Sequence, residues 1–171
     1  KLVEYNKASH FLLKANEELT AWLRGDRSMP FGPNHEHVTV RLIDFDNAEN
    51  NEYVVTNQFT FRAGPAERRA DLVLLVNGLP IVLIEAKTPV RHAVSWLDGA
   101  LQVHDDYEKN VPELFVANVL SVATEGKELM YGSVRMPVNL WGPWRGDDEA
   151  APGTLAGLQA AVNGLLIEAE D

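Results

Sequence analysis

The spacing of apolar and polar positions divides the chain into helices and strands. Over residues 5–23, Phe11, Leu12, Ala15, Leu19, Trp22 and Leu23 recur at steps of three and four, which is one face of a helix, and Gly25 stands where such a helix would stop. Residues 27–35 are rich in Pro, Gly and Asn and read as a loop. Val38, Val40 and Leu42 alternate, so a strand is expected over 37–45, with a polar turn over 46–52. Residues 53–61 are β-branched and aromatic and predict a second strand; 63–69, with Gly64 and Pro65, read as a polar loop.

The pattern sharpens after that loop. An apolar strand is predicted from Asp71 to Val76, and Asn77-Gly78 is a strong hairpin signal because both residue types accept positive φ. The return strand runs over 79–87 and ends at Thr88-Pro89. A helix is expected over about 93–109, a short link over 111–115, and strands over 119–123 and 129–134. Residues 141–145 form an irregular aromatic segment, and an Ala- and Leu-rich helix is expected from Pro152 onward. Helix, several strands, helix, strand, helix is an α/β or α+β order, a mixed β-sheet flanked by helices.

Length and composition change this picture little. The 171 residues suit one domain, and the 46% hydrophobic fraction suits a packed core. No apolar run approaches a membrane span, and the first residues do not resemble a secretory leader. The absence of cysteine excludes disulfides, thiolate metal sites and a cysteine nucleophile, and fits a reducing, cytoplasmic setting. The net charge of -10 argues against a free-standing nucleic-acid binder, because phosphate neutralisation supplies most non-specific affinity. Together with a first residue that is Lys1, it points to a piece of a larger assembly in which other parts hold the nucleic acid.

The candidate chemistry lies at the open end of the hairpin. Glu85 and Lys87 are two residues apart and therefore share a strand face, and counting outward from the turn sets Asp71, at the start of the partner strand, beside Ile84 and Glu85. Two carboxylates and an ammonium then converge. Hard oxygen ligands bind Mg²⁺, the metal acidifies a bound water and polarises a phosphoryl oxygen, and a lysine stabilises developing charge. On spacing alone the alternative is a surface Glu and Lys closing a strand.

The surrounding residues carry a resemblance. Asn57-Gln-Phe-Thr, then Arg69-Ala-Asp71-Leu-Val-Leu-Leu-Val-Asn77-Gly-Leu-Pro-Ile-Val-Leu-Ile-Glu85-Ala-Lys87-Thr-Pro89, resembles the N-terminal nuclease domain of the restriction (motor) subunit of type I restriction–modification enzymes, within the PD-(D/E)XK superfamily. It continues through Gln102-Val-His-Asp-Asp-Tyr107, Val111-Pro112-Glu-Leu-Phe115 and Asn118-Val-Leu-Ser-Val-Ala-Thr-Glu-Gly126, covering roughly residues 53–145. The resemblance implies a restriction-endonuclease-like core over 1–150. It makes residues 151–171 the start of a connection to a helicase/translocase. Asp71, Glu85 and the Ala86 carbonyl would hold Mg²⁺, and Lys87 would be the catalytic lysine. Gln102 and Tyr107 match a helical Gln-x-x-x-Tyr motif that steadies the DNA backbone and the lysine. Here four residues separate the pair, which on an α-helix turns Tyr107 by about 100° from the motif's direction. The implied substrate is double-stranded DNA, cut after ATP-driven translocation by other domains; the implied partners are methyltransferase and specificity subunits. A non-catalytic docking domain with a nuclease fold and a stand-alone repair nuclease of the same superfamily remain alternatives.

Other candidates are weaker. His35 and His37 are two apart but have no third ligand nearby, so a zinc site is not expected; His104 shares the helix of Gln102 and is a candidate neighbour of the site. Glu17 and Glu18 read as a solvated helix face, and Trp141 and Trp144 as packing. Gly126-Lys127 lacks the earlier glycine of a phosphate-binding loop and the Ser or Thr after the lysine, so ATP is assigned to absent motor domains. The basic groups expected around the cleft are Arg68, Arg69, Lys87 and Arg91.

Overall fold

The computed structural model describes residues 2–31, 34–88 and 94–144, with side chains from residue 11 onward. The expected C-terminal helix, Arg91, His92, the His10 side chain and the whole of 151–171 lie outside the described residues.

Helix α1 spans Leu2–Leu23. Its buried contact is Leu12, and the Asn16 amide reaches the carbonyls of Phe115, Val116 and Asn118 at 3.3, 3.0 and 2.9 Å, which fixes the helix on that segment. The end is set as the sequence indicated. Gly25 adopts φ +76°, its N–H donates to Trp22 and that of Asp26 to Ala21, so a left-handed glycine closes the last turn.

The next segment corrects two expectations. Ser28–Phe31 is not loop but strand β1, paired antiparallel with β2, Glu36–Thr39, in a separate two-stranded ribbon whose every residue is exposed. The strand expected over 37–45 stops at Thr39. Asp44 accepts the N–H groups of Asp46 and Asn47 and the Asn50 amide, and this local bonding turns the chain away from a ladder.

The main sheet has six strands in the order β3-β4-β5-β6-β7-β8. These are Tyr53–Ala63, Ala66–Val76, Leu79–Ala86, Leu120–Thr124, Leu129–Gly132 and Gly142–Pro143. The polar loop expected over 63–69 shrinks to the turn at Gly64-Pro65, and β4 starts at Ala66. Charged residues on an exposed hairpin tip look like loop by composition, yet Arg62 opposes Glu67 and Phe61 opposes Arg68 in a continuous ladder. Asp71 therefore lies inside a strand rather than at its start. Asn77 and Gly78, at φ +51° and +79°, make the two-residue turn into β5. Asn77 also exchanges hydrogen bonds with the backbone of Glu52 and donates to the Leu42 carbonyl, tying the turn to the entry of β3.

Strands β5 and β6 are parallel, so the chain must cross over between them. Helix α2, Trp96–Leu101, supplies the crossover. Ser95 starts it with a capping box: its side chain accepts from Leu97 N–H, and Asp98 accepts from Ser95 N–H. The helix continues through a π turn, Gln102–Tyr107, into α3, Glu108–Asn110. Its inner side buries Ala100, Val103 and Tyr107 against Val73, Leu83 and Ala123 of the sheet and against Val111 and Phe115. The strand expected over 129–134 ends at Gly132. Trp141 packs over Gly132, so the aromatic segment belongs to the core, as expected for packing, and its Gly142-Pro143 pair forms the edge strand.

Candidate active site

The β4–β5 hairpin diverges at its open end, and the side chains there replace ladder bonds. The last strand pair is Leu72 with Ile84. Beyond it, the Ala86 N–H donates to Asp71 Oδ2 at 2.9 Å. On the other side of β5, Lys87 N–H donates to Thr124 O at 2.7 Å, so the parallel strand holds the backbone straight through the site. In extended backbone a residue's N–H and C=O point to the same strand edge. The Ala86 carbonyl thus shares the edge that faces Asp71.

Glu85 projects from β5 beneath the crossover helix and is 3% exposed. Gly99 of α2 packs closely over this strand end: a Cβ there would lie 3.3 Å from Ala123 Cβ, a tight approach, and in ordinary contact with the Glu85 carbonyl oxygen and Cγ at 3.4 and 3.5 Å. Lys87 Nζ donates to Glu85 Oε1 at 2.9 Å and also to Gln102 Oε1. Gln102 Nε2 donates to the Tyr107 hydroxyl at 2.5 Å, and that hydroxyl lies 2.9 Å from Arg69 O and 3.3 Å from Glu85 Oε2. Glu85, Lys87, Gln102 and Tyr107 form one ring of polar contacts, in which the single Tyr107 proton is shared between Arg69 O and Glu85 Oε2, with Asp71 beside it.

The spacing between Gln102 and Tyr107 is resolved by the π turn. On an α-helix, residues five apart point about 140° from one another. In the π turn the backbone bonds run from i to i+5, as from Glu108 N–H to Val103 O, and residues five apart stack on one face. The extra residue is absorbed, and both side chains face the hairpin. Arg68 of β4 grips the same turn through two bonds to Asp106, at 2.7 and 2.6 Å.

The electrostatics follow from burial. Glu85 is pushed above the ordinary carboxylate range, chiefly by desolvation; the Lys87 hydrogen bond opposes this, and the negative charge of Asp71 adds to it. The Tyr107 hydroxyl is raised to about 12 by desolvation and then by the Glu85 charge, so it stays protonated at working pH and serves as a fixed donor. The oxygens that could hold a cation here are those of the Asp71 and Glu85 carboxylates and the Ala86 carbonyl; in this structure all four carboxylate oxygens accept hydrogen bonds. Among the described residues, no three His, Asp or Glu side chains cluster as a complete protein cage.

The remaining candidates lie elsewhere. Glu18 pairs with Arg27 on the surface, away from the hairpin, and Glu17 is exposed on the same helix. His37 contacts Ser28, and His104 contacts Asp105 at 3.1 Å rather than the ring. Of the basic groups expected around the cleft, Arg68 is engaged by Asp106, Lys87 is inside the ring, and Arg69 contributes its carbonyl. Sequence reasoning missed the Arg68–Asp106 grip, the close approach at Gly99, and Gln58, whose amide donates to Asp71 Oδ1 at 3.2 Å. It also missed Glu125, whose carboxylate accepts the Trp96 N–H at the start of α2. The odd spacing of Gln102 and Tyr107 was the one available signal for the π turn.

A mixed sheet with a helical crossover over a parallel pair, and a Glu-x-Lys strand end under that crossover, defines a nuclease-like α+β core. The chain belongs to the family described as the type I restriction enzyme R protein N terminus, whose model matches residues 2–139. It is 33% identical over 132 residues to the type I restriction enzyme HindI endonuclease subunit of Haemophilus influenzae, covering 74% of this chain and 12% of that protein. It is also 33% identical over 123 residues to a Methanocaldococcus jannaschii protein provisionally named the type I restriction enzyme MjaIXP endonuclease subunit, covering 69% of this chain and 12% of that one. The chain thus spans about 12% of the length of these relatives. No helix among the described residues is long and apolar enough to cross a membrane.

Proposed function

We propose that this domain is the PD-(D/E)XK endonuclease of a type I restriction enzyme and hydrolyses double-stranded DNA phosphodiesters with Mg²⁺. The observation that carries the reading is the ring in which Lys87 bridges the buried Glu85 and Gln102 while Asp71 takes the adjacent backbone N–H. A purely structural ion pair needs none of the other members. Asp71, Glu85 and the Ala86 carbonyl are the metal-holding residues of this reading, and their donor set fits: Mg²⁺ prefers hard oxygens, uses one or two carboxylates, and keeps waters and substrate phosphate for the rest. When bound, the metal supplies a water of lowered pKa and polarises the phosphoryl oxygen. Lys87 sets its ammonium beside the reacting phosphate and stabilises charge that develops there. Gln102 aims Lys87, and Tyr107 holds Gln102 with a hydroxyl that does not ionise at working pH.

In the assembled enzyme the DNA would be delivered by ATP-driven motor domains, with methyltransferase and specificity subunits as partners. The charge of -10 supports this division of labour, since the domain repels the duplex at long range. Incubated with plasmid and Mg²⁺ or Mn²⁺ but no ATP, the chain is expected to cut poorly. Carried in the complete restriction complex with ATP, Asp71→Asn, Glu85→Gln and Lys87→Ala should each abolish cleavage and leave ATP hydrolysis intact. Undiminished cutting by Lys87→Ala would overturn the assignment. Efficient Lys87-dependent cutting by the isolated chain would instead favour a stand-alone nuclease.

A further inference from the structure

Strand β3 contains a residue that its own ladder does not explain. Gln58 stands in the middle of an 11-residue strand, yet its backbone is left-handed, at φ 52°. Few non-glycine residues adopt this conformation, and such outliers persist only where the surroundings impose them. The β3–β4 ladder skips one position, between Asn57–Leu72 and Phe59–Ala70, and the residues at that gap are Gln58 and Asp71.

The gap has a consequence for which side chains face the core. On one side of it, Phe59, Phe61 and Ala63 of β3 and Ala66 and Ala70 of β4 pack inward. On the other side the inward residues of β4 are Val73 and Leu75. Strict alternation from Ala70 would have chosen Leu72 and Leu74. The pleat therefore changes phase at Asp71. The residue directly across from that change is the left-handed Gln58.

The side chain of Gln58 completes the arrangement. Its Nε2 donates to Asp71 Oδ1 at 3.2 Å, while Ala86 N–H holds Oδ2 at 2.9 Å. Asp71 is thus gripped from both neighbouring strands, one donor for each oxygen. A carboxylate with two fixed donors is held in one rotamer; with Ala86 alone it could pivot about that bond.

We propose that Gln58 is a positioning residue for Asp71: its left-handed backbone lies at the change of pleat phase that puts Asp71 on the face of Val73 and Glu85, and its amide fixes the orientation of the carboxylate that would bind the divalent cation. The metal part of this statement rests on the nuclease reading above; the orienting part does not. Gln58 touches neither the Lys87 ring nor any reacting atom, so its effect is exerted through Asp71.

Two variants separate backbone from amide. Gln58→Gly keeps the left-handed conformation at no steric cost and removes the amide. Gln58→Met keeps the length of the side chain and removes the amide. The first measurement is the set of three-bond couplings across Cα–Cβ of Asp71 by NMR in the metal-free chain. A single rotamer is expected in the wild type and averaged couplings in both variants; unchanged couplings would overturn the proposal. The second is calorimetric titration of the same chains with Mn²⁺. Both variants should bind about tenfold more weakly, the loss of one charge-assisted hydrogen bond, and melt no more than a few degrees below the wild type. Asp71→Asn is the control. If it abolishes Mn²⁺ binding while the Gln58 variants bind within twofold of the wild type, Gln58 is only a strand kink. If averaged couplings appear but Asp71→Asn leaves Mn²⁺ binding unchanged, the orienting role stands and the metal reading fails.

Discussion

Replacing Tyr107 by Phe removes one oxygen from a side chain that is 3% exposed and leaves its ring packing in place. That oxygen has three partners whose fates differ: the Arg69 carbonyl, the Gln102 amide and Glu85 Oε2. The part-buried Arg69 carbonyl, 2.9 Å away, and the buried Glu85 Oε2, 3.3 Å away, lose the donor they share, and at Glu85 water does not readily replace it. The Gln102 amide loses an acceptor but is half-buried and can turn toward solvent. A buried group left unsatisfied costs about 1–3 kcal/mol, and a replaceable bond much less, so the sum is about 2 kcal/mol. In a domain of this size that lowers the melting temperature by about 4–8 °C. Urea unfolding followed by tryptophan fluorescence gives the free energy, and calorimetry gives the melting temperature. Under the proposed function the kinetic loss should exceed the stability loss. Gln102 would no longer be held against Lys87, and cleavage by the restriction complex should fall about 10- to 100-fold with no new ionisation in its profile from pH 6 to 9, because the wild-type hydroxyl titrates only near about 12. Stability within about 0.5 kcal/mol of the wild type would refute the reasoning, because Tyr107 would then not be presented to the Arg69 carbonyl by the π turn.

Two further expectations concern groups outside the ring. Glu108 is buried and raised from 4.5 to about 7, chiefly by desolvation, against the opposing bonds from Arg135; the folded state therefore holds a proton that the unfolded state releases, and the contribution, complete below 4.5, is lost as pH rises to about 7. Relative to Glu108→Gln, the wild type should lose up to about 3 kcal/mol between pH 4.5 and 8 in urea titrations, and equal pH slopes would contradict this. At Gly132 a Cβ would fall 2.3 Å from Trp141 Nε1 and 2.5 Å from its Cδ1, so Gly132→Ala must expel the indole; a loss of about 1–3 kcal/mol and a red-shifted tryptophan emission are expected, and an unchanged spectrum would show that the ring is not seated there.

The sequence alone determined the features that depend on near neighbours. Gly25 stopped α1, Asn77-Gly78 turned the hairpin, and the apolar runs on either side became β4 and β5, because these depend on φ preferences and on alternation over a few residues. The turn set the register only as far as Leu75 and Pro80; an irregularity between Leu74 and Leu75 shifts it by one and brings Asp71 opposite Glu85, while the two-residue period placed Glu85 and Lys87 together. The family resemblance, which rested on the same stretch, agreed with the family match over 2–139.

Tertiary structure decided what depends on partners distant in the chain. Composition misread 63–69 because charged residues at a hairpin tip bond across strands, where only pairing reveals them. An α-helical rule turned Tyr107 away from Gln102, whereas the sheet beneath selects a π turn by offering Tyr107 the Arg69 carbonyl and Asp106 the Arg68 guanidinium. Gln58 lies in the Asn57-Gln-Phe-Thr stretch of the resemblance, but nothing in the sequence assigns it a role. Its role arises only when β3 is laid against β4, because a strand's phase is set by the neighbour it pairs with and not by its own side chains.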